Sequence, residues 1–169
     1  SRGQLVVDLL AAEGLTDAES TLTAAVDAAG YEGFNLLVID ALAGAGMYAA
    51  WDGTLRTERL GSGVYVMTNA GLDGASYPQA PGRPDPRPRA RVAETLGEAL
   101  QGTPTAAAFT QRVRALLASH EPPVCLHRTD AVGTVSASVF RRSAEGVVTV
   151  EHTPGPPCTT AAQTLVEQL

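Results

Sequence analysis

The sequence predicts an α+β domain with antiparallel sheets, and three observations carry that prediction. Apolar residues recur at helical spacing near both the start and the middle of the chain. They also gather into strand-length runs such as Phe34–Ile39 and Val64–Thr68, and turn pairs such as Asp52-Gly53 separate those runs. The resulting order is helix pair, strand group, helix pair, strand group, which is the pattern of helices covering stacked sheets.

Each element has its own reason. Leu5, Val6, Leu9 and Leu10 place a helix over 4–12. Thr16-Asp-Ala-Glu19 reads as a capping box that opens a second helix running to Gly30, a natural stop. Phe34–Ile39 is a continuous apolar run, the signature of a strand covered on both faces. Gly46–Trp51 and Thr54–Arg59 flank Asp52-Gly53 and predict a hairpin, and Val64–Thr68 adds a fourth strand to an antiparallel meander with both helices on one face. Residues 74–89 carry too many prolines for helix or ladder and read as a solvated crossover loop in preference to an Arg-bearing lid over an anionic ligand. Helices are expected at 87–100 and, capped by Thr103 with Pro104 at the first position, at 104–118. Val132–Phe140 and Gly146–His152 predict a second hairpin, followed by a Pro-Gly-Pro-Pro turn and a short C-terminal helix.

Composition narrows the function classes. The 169 residues, 44% of them hydrophobic, are enough for one domain with a real core, so residues 1–169 are read as a single domain. A net charge of −6 argues against nucleic acid or an anionic membrane as partner. All twelve basic residues are Arg, which points to a GC-rich bacterial genome and removes any Lys general base. The chain has no apolar run of the roughly eighteen residues a membrane span needs. Two cysteines, Cys125 and Cys158, make no disulfide framework, and a cytoplasmic location with reduced thiols is the simplest expectation.

Four blocks in order carry a family resemblance. They are Ser1-Arg-Gly-Gln-Leu-Val6, Tyr31-Glu-Gly-Phe-Asn-Leu-Leu-Val-Ile-Asp40, the stretch from Gly63 through Tyr65, Thr68 and Asn69 to Asp73, and Gly133-Thr-Val-Ser-Ala-Ser138. Together the chain resembles the NRDE-motif family, the transport and Golgi organisation type, within the N-terminal nucleophile hydrolase-like superfamily. The resemblance implies a four-layer αββα sandwich of antiparallel sheets. Members begin with a Cys after the initiator Met and an Asn-Arg-Asp-Glu stretch; neither is present, so the chain resembles the C-terminal two-thirds of such a domain. The expectation is therefore that N-terminal strands are missing, and that the preceding segment or a homo-oligomer covers the exposed sheet edges. In that superfamily the N-terminal Cys is nucleophile and its amine the base, so residues 1–169 alone should be catalytically inert. Ser1 is a poor substitute, because it precedes a helix rather than starting a central strand.

The candidate site residues follow. Asn69, at the end of an apolar strand, reads either as a turn residue or as a donor to a developing oxyanion, which needs preorganised N–H groups at about 2.7–3.1 Å. The resemblance implies the oxyanion role, with Thr68 beside it in a substrate pocket. Alternation would put Thr134, Ser136 and Ser138 on one strand face, either as hydroxyls lining that pocket or as an ordinary wet face. Related acylases carry an Arg near this strand; here position 139 is Val and the arginines follow at 141 and 142. Cys125-x-His127 alternates onto one face and could form a thiolate–imidazole couple or part of a haem or metal ligand set. Two ligands fall short of a zinc site, so a buried Cys beside a surface His is the preferred reading and no metal is expected. His120 and His152 read as solvated, Cys158 as a structural turn residue, and Trp51 and Tyr48 as packing residues.

Three functions stay open: an amide hydrolase or acyltransferase scaffold whose nucleophile lies outside this chain, a non-catalytic carrier of haem or a small apolar ligand, and an interaction domain without a small-molecule site.

Overall fold

Ser1 starts the first helix by accepting a hydrogen bond from the Gln4 amide at 3.3 Å, so α1 runs Arg2–Leu10, two residues earlier than its apolar spacing predicts. The computed structural model describes residues 1–28, 30–68, 71–72, 105–121, 123–129 and 132–167. It divides into two compact units, Ser1–Pro84 and Asp85–Leu169. Across the described residues the chain is mixed α and β, with three helices and two antiparallel three-stranded sheets.

In the first unit α1 is followed by α2, Leu15–Ala28. Leu15, Ala18, Leu22 and Val26 form one buried stripe on α2, and they meet Leu5 and Leu9 of α1. The expected capping box is not used. Thr16 lies inside α2, its carbonyl accepting from the Ser20 hydroxyl, and the Asp17 carboxylate instead accepts from the Glu13 amide at 3.0 Å. An anion in the first turn also suits the positive end of the helix dipole.

Three strands complete this unit's main sheet: β1 Phe34–Asp40, β2 Ala45–Trp51 and β3 Leu55–Leu60, in the order β1-β2-β3. The hairpin at Asp52-Gly53 forms as expected, with Gly53 at a φ of 103° and the Asp52 carboxylate bonding Arg56. Met47 and Ala49 of β2 enter the helix-side core, while Tyr48 and Ala50 enter a second cluster with Leu60 and Leu72. Both helices therefore cover one sheet face, as predicted. The strand covered on both faces, however, is β2 rather than β1. β1 is the sheet edge among the described residues and leaves Ile39 68% exposed. Alanine and glycine disguise β2 in the sequence, because burial of small residues leaves no strong apolar run. The expected strand Val64–Thr68 is only β4, Met67–Thr68, and it pairs with β5, Gly71–Leu72, apart from the main sheet.

In the second unit α3, Ala106–Leu117, is capped by Thr105, whose hydroxyl accepts from the Ala108 amide at 3.1 Å. Thr103 and Pro104, the expected start, lie outside the described residues, as do the loop at 74–89 and the helix at 87–100. Two short strands, β6 His127–Thr129 and β7 Val132–Gly133, pair with each other. The predicted strand Val132–Phe140 is thus broken, and its second part is β8, Ala137–Arg142. β8 pairs with β9, Val148–Thr153, and β9 with β10, Gln163–Glu167. β10 overturns the expected C-terminal helix: Thr164, Leu165 and Val166 suit a pleated strand, and β9 offers them a free edge. Val139, Glu151 and Thr153 face inward, while Phe140 and Leu165 are exposed on the opposite face. Arg114 of α3 reaches the buried Glu151 carboxylate at 2.6 Å.

No helix among the described residues is long and apolar enough to cross a membrane.

Candidate metal centre

The backbone that follows α3 is fixed tightly enough to aim side chains. The Ser119 carbonyl accepts from the amides of both Val124 and Cys125, at 3.2 and 2.8 Å, which folds the chain back on itself. The Cys125 carbonyl then meets His120 Nδ1 at 3.0 Å. A carbonyl can only accept, so Nδ1 carries the proton and Nε2 keeps its lone pair for another partner. This is the arrangement that fixes the tautomer of a metal-ligating histidine.

One residue further on, Leu126 is held at both of its backbone groups by Thr134. The Thr134 amide donates to the Leu126 carbonyl at 2.8 Å, and its hydroxyl accepts from the Leu126 amide at 3.0 Å. Gly133 makes that approach possible, since a Cβ there would stand 2.6 Å from the Leu126 carbonyl oxygen. With Leu126 pinned, its neighbours Cys125 and His127 project together, and Cys125 Sγ lies 3.8 Å from His127 Nε2.

A distant turn completes the group. The Pro156 carbonyl accepts from the amides of Thr159 and Thr160, each at 3.0 Å. Thr160 Oγ1 occupies the space beside Gly155, where a Cβ would be 2.4 Å away. That turn delivers Cys158 Sγ to 3.4 Å from Cys125 Sγ and 3.1 Å from His127 Nε2. Donor atoms of His120, His127 and Cys158 all lie within 4.8 Å of one another, and the two imidazole rings are 5.2 Å apart. Cys125 joins this trio through two of its members, His127 and Cys158, while His152 stands apart from it.

These separations can be set against those of a tetrahedral ion. With bonds of about 2.3 Å to sulfur and 2.0–2.1 Å to nitrogen, tetrahedral edges are about 3.8 Å for S···S, 3.5 Å for S···N and 3.3 Å for N···N. Among Cys125, Cys158 and His127 the observed S···S distance is 3.4 Å and the S···N distances are 3.1 and 3.8 Å, each within about 0.4 Å of those edges, while His120 stands within 4.8 Å of His127 and Cys158. The ligand types, two thiols and two imidazoles, are those of a soft or borderline transition metal.

Desolvation first, and the adjacent Cys125 thiol second, push the Cys158 thiol above its ordinary value. The two sulfurs lie in hydrogen-bonding contact at 3.4 Å. Thiols are weak nucleophiles, and a bound cation would instead displace the protons.

The other predicted positions fare differently. Asn69 lies outside the described residues; Thr68 contributes its backbone to β4, and its side chain also lies outside them. Thr134, Ser136 and Ser138 do not share one strand face, because 134–136 is not strand. Thr134 turns to Leu126, Ser136 is exposed, and Ser138 Oγ meets His152 Nδ1 at 2.9 Å on the outer sheet face. Val139 is buried on the inner face. Trp51 and Tyr48 serve packing as expected, the indole bonding the Tyr31 carbonyl and the phenol bonding Asn35.

Cys125 is buried and His127 exposed, as the simpler reading requires. What sequence reasoning missed is the company they keep. His120 is indeed exposed and Cys158 does sit in a turn, yet each has a donor atom within 4.8 Å of the other's and of His127's. The spacing H-x4-C-x-H, with a second Cys after residue 150, was the available signal. Comparison of the chain with protein-family models, with curated proteins and with solved structures finds no match in any of the three.

Proposed function

We propose that the second unit is a binding module for one soft divalent transition-metal ion, zinc by preference, held by Cys125, Cys158, His127 and His120. The observation that carries this reading is the position of Cys158 Sγ, within 3.4 Å of Cys125 Sγ and 3.1 Å of His127 Nε2 despite its distance in sequence. Four protein donors fill a tetrahedral shell and leave no open position, which favours a structural or carrier role over a hydrolytic one. It also favours a single ion over haem, whose axial ligands approach from opposite faces of a wide plane rather than converging. Thiols kept reduced in a cytoplasmic setting agree with the reading.

The test is metal titration of chelator-treated protein with Co2+, a spectroscopic stand-in for zinc. One equivalent should give the intense visible bands of tetrahedral cobalt and thiolate charge transfer. Cys158→Ser should weaken binding and cut the charge-transfer intensity to about the level of a single thiolate, and protein that loses all metal to a weak chelator would sink the proposal.

A second reading is favoured by the four sequence blocks. In it the chain is part of an NRDE-type, N-terminal nucleophile hydrolase-like αββα scaffold, with Asn69 as oxyanion donor and an amide-cleaving Cys supplied by a segment outside residues 1–169. Helices covering one face of the first sheet support that architecture. An amide screen on the complete reading frame, with Asn69→Ala expected to lower kcat by about a hundredfold or more, tests it.

A further inference from the structure

We infer that Cys125 and Cys158 are an oxidant-responsive pair: small disulfides convert them to a protein disulfide, and the metal leaves. This rests on the metal-binding reading above and names the reagent class that regulates the site.

The geometry begins with the two sulfurs. They are 3.4 Å apart without any bond, and a disulfide of about 2.05 Å needs them to close by only about 1.4 Å. The two cysteines are also unequal. Cys125 is buried at 1% exposure, its amide bonded to Ser119 and its carbonyl to His120. Cys158 is partly exposed in a turn. A reagent in solution therefore meets Cys158 first, and Cys125 waits behind it as the resolving sulfur.

The exchange balances as follows. The Cys158 sulfur attacks one sulfur of a low-molecular-weight disulfide, forming a mixed disulfide and expelling one small thiolate. The Cys125 sulfur then attacks the Cys158 sulfur, forming the Cys125–Cys158 bond and expelling the second small thiolate. Two protein thiols are oxidised, and one small disulfide is reduced to two thiols. From the metal-free protein the two thiol protons pass to the departing thiolates, and His127 Nε2, 3.1 Å from Cys158 Sγ, is placed to carry the first. From the metal-bound protein the two thiolates are consumed, so the cation loses both anionic ligands. Two imidazoles and a neutral disulfide then hold it far more weakly.

The experiment uses the full chain loaded with one equivalent of zinc and treated with oxidised glutathione. Intact mass, a peptide map and released zinc captured by a chromophoric chelator are read together. The expected result is a Cys125–Cys158 crosslink, one zinc released per crosslink, and recovery of both thiols and binding with dithiothreitol. His152→Ala should behave like the parent chain, and Cys158→Ser should give neither crosslink nor an adduct on the buried Cys125. If zinc binds but stays bound after oxidation, or if glutathione stops at a Cys158 adduct, the inference is overturned while the metal-binding reading stands. If the reduced chain binds no zinc, the reading fails and takes the inference with it. Because Cys158 is partly exposed, Cys158→Ser should keep the parent's circular dichroism; an adduct on Cys125 in that folded variant would refute the order of attack.

Discussion

Thr134 bonds both backbone groups of Leu126, at 2.8 and 3.0 Å, and so fixes the residue that separates Cys125 from His127. Its role is positioning, one layer out from the donor atoms.

Thr134→Val keeps the shape and removes the acceptor for the Leu126 amide. Loss of such outer partners typically costs about 10–100-fold in metal affinity, and that is the expected weakening here. Competition with a chromophoric chelator measures it, with Thr134→Ser retaining most of the affinity. Equal affinity for Val and Thr would show that Leu126 is held by other means.

Gly133→Ala places a methyl where the Leu126 carbonyl already is, 2.6 Å away. The neighbour is backbone and cannot swing aside, so a destabilisation of about 1–3 kcal/mol is expected in urea unfolding. The same variant should bind cobalt with altered visible bands, because the shift reaches both ligands beside Leu126.

Leu22 is fully buried between the two N-terminal helices and β2. Leu22→Ala should cost about 2–5 kcal/mol, the range for cavities in packed cores. Since the metal donors all lie in the other unit, cobalt binding should keep its stoichiometry; unfolding midpoints and titrations on the same sample separate the two effects.

Glu19 of α2 accepts a hydrogen bond from the Thr57 hydroxyl, which is the main cause holding its carboxyl below the ordinary 4.5, and a second from the Arg59 guanidinium. A lowered folded-state value means that the stabilisation is fully present above about pH 4.5, the unfolded value, and is lost as pH falls through the folded value. Glu19→Gln should therefore be less stable than the parent near neutrality, and the two curves should converge in acid. Denaturant midpoints across that range check it; a gap that widens on acidification would contradict the sign.

Much of the fold was legible because it is local. The stripes of α1 and α2, the Asp52-Gly53 hairpin and the β8–β9 hairpin are all written in short-range spacing. Misreadings arose where a partner decided the outcome. β10 is a strand because β9 presents an edge to Gln163–Glu167, and β2 is central although Ala49 and Ala50 carry little apolar signal. Capping failed at Thr16 because Asp17, one residue on, reaches the Glu13 amide instead. The site was half legible: Cys125 and His127 declare themselves by alternation, whereas Cys158 enters through a turn whose placement depends on the whole β8–β9–β10 sheet. Local pattern cannot carry a contact across 31 positions.

That separation has one further consequence. Everything from β6 through β9 lies inside the loop of chain that Cys125 and Cys158 bracket, 33 positions apart. Tying those two points together, by an ion or by a sulfur–sulfur bond, removes disorder from the unfolded chain worth roughly 4 kcal/mol in the chain-entropy picture. Both ligation states are staples at the same place, so discharge of the ion by oxidation need not loosen the module. The state expected to melt earliest is the reduced, metal-free one.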